Sequence, residues 1–158
     1  MVLLLGESPL IQLLLTTFVT LYSAKAILLE QKIVDLDLLN SVLLPGHISN
    51  PYKVMDKAAM FVSSSRWEGL PNAVLEAMAC GTAVISSNCS SIPEVAGNSA
   101  ILIDPYSVEE LSEKWQLLLE DETLRKGVVK KCQQQAKEFT WERCIKSTID
   151  VYKEIQHG

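Results

Sequence analysis

Short, continuously apolar runs recur along this chain, separated by stretches patterned as helix, and this alternation most limits what the chain can become. Val2–Gly6, Val42–Gly46, Ala59–Val62, Ala83–Ser86 and Ala100–Ile103 read as strands. Their apolar character does not alternate with polar residues, which is how strands covered on both faces read. The segments between them predict helices: Pro51–Lys57 behind Asn50 as N-cap, Pro71–Cys80, and Ser107–Leu118 with Ser107 and Glu110 as a capping box. Asp121 begins a further helix toward Lys137. Trp141–Ile155 is a last one, with Ile145, Thr148, Ile149, Tyr152 and Ile155 on one face. Trp141 and Tyr152 are read as packing residues. Strands alternating with helices predict an α/β fold with a Rossmann-like, doubly wound parallel sheet, and 158 residues suffice for one domain.

Chemistry is legible in one place. Glu68 and Glu76, with seven residues between them, bracket Gly69-Leu70-Pro71-Asn72-Ala73-Val74-Leu75. Gly69 permits a tight turn, Pro71 suits a first helical position, and Gly81 sits where a helix end takes a left-handed residue. The carboxylates therefore flank a helix start whose free N–H groups and dipole favour an anion such as a diphosphate. Ionised carboxylates only accept hydrogen bonds and would repel that anion, so they match neighbouring hydroxyls instead. A nucleotide-sugar carries both kinds of group. The alternative is plain: Glu68 caps the helix and Glu76 is solvated surface.

The longer segment Phe61-Val62-Ser63-Ser64-Ser65-Arg66-Trp67-Glu68-Gly69-Leu70-Pro71-Asn72-Ala73-Val74-Leu75-Glu76-Ala77-Met78-Ala79-Cys80-Gly81, followed by Ala83–Ser87, Ile92-Pro93-Glu94-Val95 and Ala100–Pro105, carries a resemblance. From about Val42 to Ile155 the chain resembles the C-terminal, donor-binding half of the retaining glycosyltransferases of family four, which have the two-lobed GT-B fold. The resemblance implies a single GT-B lobe over residues 1–158, weakest over 1–41, with 140–156 as a terminal crossover helix packing toward an N-terminal acceptor lobe. It implies retaining, hexosyltransferase-type transfer from a nucleoside-diphosphate sugar to a hydroxyl, of the kind used in polysaccharide biosynthesis. Glu68 would be catalytic, near the reacting sugar carbon. Glu76 would hold the ribose, Gly69, Leu70, Pro71 and Asn72 would meet sugar and diphosphate, and Ile48 would pack on the nucleobase. No cofactor or metal is implied, and no Asp-x-Asp stands in the chain to hold one. Another enzyme on the same fold, an epimerase or a phosphorylase, fits the Glu-Gly-Leu-Pro-Asn run less well.

The family's donor lobe also brings a Gly-Arg stretch and a later Lys-Gly that bind the diphosphate. Residues 1–65 offer only Lys25, Lys32, Lys53 and Lys57, and none matches. The partners expected are a nucleotide-sugar and an N-terminal lobe or partner chain, and the alternative function is a non-catalytic nucleotide-sugar-binding module or an inactive fragment. Arg66 is expected in a salt bridge with Glu68 or on the surface, His47 is read as incidental, and Ser91 with Glu94 as a capping box.

A net charge of −5 argues against nucleic acid as a partner. Cys80, Cys89, Cys132 and Cys144 lack metal or disulfide spacing, which predicts free thiols and a cytoplasmic location. Ser8–Ala24 carries no charge, yet Gln12, Thr16, Thr20 and Ser23 fall on one helical face and Leu14, Phe18 and Leu21 on another. That predicts an amphipathic core helix ended by Lys25 rather than a membrane span, with peripheral membrane contact as the second reading.

Overall fold

The computed structural model describes residues 2–5, 12–14 and 24–157. Among them a six-stranded mixed sheet is built from β1 (Val2–Leu5), β2 (Gln12–Leu14), β3 (Val42–Leu43), β4 (Ala58–Ser63), β5 (Ala83–Ser87) and β6 (Ile101–Ile103), in the order β3-β2-β1-β4-β5-β6. The β4-β5-β6 half is parallel, with Phe61 opposite Val84, Val62 opposite Ile85, and Ile85 opposite Ile101. Every residue of β5 is buried, the apolar Ala83-Val84-Ile85 and the two serines that follow alike, as in a strand covered on both faces.

The helices are α1 (Ala24–Asp35), α2 (Tyr52–Met55), α3 (Asn72–Cys80), α4 (Ile92–Ala96), α5 (Val108–Glu120), α6 (Glu122–Ala136) and α7 (Trp141–His157). Met60, Phe61, Val84 and Ile85 of the sheet form the core with Val74 and Met78 of α3, Leu118 of α5 and Cys132 of α6. Helix α3 ends as its glycine predicts. Gly81 takes φ 79°, its N–H bonds to Met78, and the Thr82 N–H bonds to Ala77 at 3.0 Å, a Schellman closure. The Thr82 hydroxyl then donates to the Met55 carbonyl at 2.6 Å, tying α3 to α2 inside the core.

Several expectations are corrected. β1 runs antiparallel to both β2 and β4. Only residues 6–11 join β1 to β2, too few for the crossover of a dozen or more residues that a parallel pair needs. Within the helix expected over Ser8–Ala24, Gln12–Leu14 is a strand paired on both sides, because a short leucine-rich run has no decisive period; residues 8–11 and 15–23 lie outside the described residues. Helix α1 then begins at Ala24, so Lys25 opens a helix instead of ending one.

The caps shift as well. Pro51, not Asn50, stands at the start of α2, which is a single turn. Ser107 accepts from the Glu110 N–H at 3.1 Å, but the Glu110 carboxylate takes the Asp104 N–H at 2.8 Å, so the box closes on the strand end instead of on itself. Asp121 caps α6 through the Leu124 N–H at 2.8 Å. Helix α7 is exposed along its described length, with Trp141 80% and Tyr152 66% exposed, so neither is buried within this chain.

Candidate functional site

Strands β4, β5 and β6 point their carboxyl ends to one edge of the sheet, where open α/β sheets bind ligands. Glu68, Gly69, Leu70, Pro71 and Asn72 all lie in the loop and first residue that lead from β4 into α3. Pro71 is not the first helical residue. At φ −77° and ψ 68°, with the Asn72 N–H bonded to the Leu70 carbonyl at 2.8 Å, it centres an inverse γ-turn. Its own carbonyl accepts from Val74 and Leu75 at 3.0 and 3.1 Å, starting the helix. Among the described residues the N–H groups of Gly69, Leu70 and Ala73 make no hydrogen bond. Ala73 lies in the first turn of α3, where the dipole favours negative charge, and Gly69 and Leu70 in the loop that leads into it.

The glutamate loop is held from the neighbouring strand. The Ser87 hydroxyl donates to the Ser65 carbonyl. The Ser90 hydroxyl donates to the Glu68 carbonyl at 2.6 Å and accepts from the Glu68 N–H at 3.3 Å, while the Ser91 hydroxyl donates to the same carbonyl at 3.0 Å. Ser91 therefore does not cap α4, because its side chain is committed to Glu68. Arg66 likewise makes no ion pair with Glu68 among the described residues; its guanidinium lies 4.6 Å from the ring centre of Tyr106, in the loop after β6. Stacking a cation on a partly exposed ring is as favourable as a surface ion pair and fixes its orientation.

Glu76 faces α3's neighbour. Tyr52, at the start of α2, donates its hydroxyl to Glu76 Oε1 at 3.4 Å. The Glu76 charge is the main cause that raises the Tyr52 phenol above its ordinary 10.0, followed by burial and the hydrogen bond itself. Burial, then the charges of Asp56 and Glu76, pushes the Cys80 thiol up, which keeps it protonated and unreactive. A cavity of about 500 Å³ opens beside Glu76 and Asn72, with Leu70, Leu75, Phe139 and Trp141 among its walls. Ile48 stands in a different loop, between β3 and α2, half-buried against the core. Among the described residues no three His, Cys, Asp or Glu side chains gather as a metal site would need.

Sequence reasoning missed Tyr52, Ser90 and Tyr106. The run Ser86-Ser87-Asn88-Cys89-Ser90-Ser91 is the available signal for Ser90: hydroxyls gathered at and beyond the end of a buried strand call for nearby acceptors.

The sequence pattern of the family described as glycosyl transferases group 1 matches residues 26–138. The chain belongs to this family. It is 40% identical over 96 residues to the O-antigen chain mannosyltransferase B of Escherichia coli, covering 61% of this chain and 25% of that protein. Among solved structures, a glycosyltransferase from Rickettsia africae ESF-5 superposes with a TM-score of 0.81 at 19% identity, covering 90% of this chain and 39% of that one. The Anabaena HepE structure in complex with UDP gives 0.73 at 21% identity, covering 82% and 36%. These likenesses establish the GT-B glycosyltransferase fold. The chain spans well under half the length of each of the three. Among the described residues of this group 1 chain, no helix is long and apolar enough to cross a membrane.

Proposed function

We propose that this group 1 chain is the donor-binding, C-terminal lobe of a retaining glycosyltransferase, which moves a hexosyl unit from a nucleoside-diphosphate sugar to a hydroxyl acceptor once an N-terminal lobe completes the site. The observation that carries the reading is the glutamate pair set around a γ-turned helix start with three N–H groups lacking acceptors. In this reading the donor diphosphate lies at those N–H groups, where the helix dipole adds to their attraction. Glu76, with one oxygen already taking the Tyr52 hydroxyl, accepts from the ribose hydroxyls, and Ile48 borders the base. As the sugar departs, negative charge grows on the diphosphate and positive charge on the ring. The helix start stabilises the first and Glu68 the second, both fixed in place before the reaction. The UDP in the Anabaena neighbour is a ligand of the class proposed here.

The measurement that decides is made on the transferase assembled with its completing lobe. Glu68→Gln is expected to lower kcat by about 100-fold or more, the size of losing one preorganised charge-stabilising group, while UDP affinity stays near normal; near-normal turnover would sink the reading. A second reading, a lobe that holds a nucleotide-sugar without turnover, is favoured by one observation. Arg66 is the only Lys or Arg between Lys57 and Lys114, and it is engaged with Tyr106. Sugar-nucleotide binding with no transfer by the assembled protein would select it.

A further inference from the structure

We infer that Ser90 is a positioning residue for Glu68, holding that residue's main chain so that its carboxylate meets the donor sugar; the inference rests on the donor role of Glu68 proposed above. One hydroxyl serves both main-chain groups of Glu68, donating to the carbonyl at 2.6 Å and accepting from the N–H at 3.3 Å. Ser91 fills the second lone pair of the same carbonyl at 3.0 Å. Glu68 is therefore gripped at its backbone from β5's loop, 22 residues away in sequence, while its side chain is left free of partners among the described residues.

Ser90 adopts φ +56°, a left-handed conformation that costs a residue with a Cβ and that glycine would take freely. Such strain persists where the surroundings over-determine it, and at sites where geometry is used. Here the hydroxyl is what a glycine could not supply. Small displacements of a catalytic group are expensive, so a loop that must present a carboxylate to a sugar gains from a two-sided clamp.

Ser90→Gly separates positioning from mere stability, because it removes the hydroxyl and also relieves the left-handed strain. In the chain itself, amide hydrogen exchange at Glu68 is expected to speed by on the order of tenfold in Ser90→Gly, as an amide that loses its only acceptor does, while the thermal midpoint stays level or rises. Unchanged exchange at Glu68 would overturn the inference. In the assembled transferase, Ser90→Gly is expected to lower kcat by on the order of tenfold with donor KM nearly unchanged. The same substitution made on top of Glu68→Gln is expected to cost nothing further, since Ser90 acts through Glu68. An equal loss in both backgrounds would overturn the positioning role. Normal kcat in Glu68→Gln alone would instead overturn the donor role of Glu68, leaving the exchange result to judge the clamp.

Discussion

Tyr52 and Glu76 form the most testable pair at the level of single residues. The carboxylate stabilises the neutral phenol that donates to it and opposes the phenolate, so the Tyr52 pKa lies above 10.0 in the folded chain. For a group raised on folding, the stabilisation is complete below the ordinary value and fades as pH climbs through the raised one. A pH titration of tyrosine absorbance or ring NMR shifts should therefore find Tyr52 titrating late, and Glu76→Gln should bring it back toward 10.0. An unchanged Tyr52 midpoint in Glu76→Gln would show that burial, the lesser cause, had been the main one. This pair was hidden in the sequence because its members are 24 positions apart on different helices. Glu68 and Glu76 were legible, since local chemistry frames them: a glycine, a proline and a capping glycine write the turn and helix into adjacent letters. Ser90 and Arg66 were not, because their partners Glu68 and Tyr106 come from other loops.

Among the elements, α7 stands apart. Its Ile145, Ile149, Tyr152 and Ile155 form the expected stripe, yet they are 55%, 46%, 66% and 71% exposed. A substitution there removes almost no packing from this chain. Ile149→Glu should shift the urea midpoint by less than about 0.5 kcal/mol equivalent, as exposed sites do, whereas Phe61→Ala, at a fully buried position, should cost about 3–5 kcal/mol. Comparable losses for the two would mean that α7 packs on the core. Elements defined by their own caps were read closely, as α5 behind Ser107 and α6 behind Asp121 illustrate. Elements whose direction or period depends on distant pairing were not. β1 reads as a strand from composition, but nothing in Val-Leu-Leu-Leu says which way its neighbours run. β2 is three residues whose period is ambiguous until β1 and β3 pair with it.

For the molecule as a whole, stability is concentrated around β5. That strand is hydrogen-bonded on both edges by β4 and β6 and covered by α3 and α6, while α7 extends from the body without a buried residue among those described. Opening β5 requires dismantling the core, so its amides can exchange only through global unfolding; α7 can open alone. With a global stability of about 5 kcal/mol or more, exchange at Val84 and Ile85 should be slowed by roughly 10⁴ and should accelerate steeply with urea. Amides of α7 should exchange far faster and respond weakly to urea, because their opening exposes little surface. If α7 amides proved as protected as those of β5 in the chain alone, the separation of a rigid donor platform from an outlying helix would be wrong. The proposed completing lobe adds a second arm to the same experiment: its addition should slow exchange in α7 while leaving the β5 values set by the platform's own core.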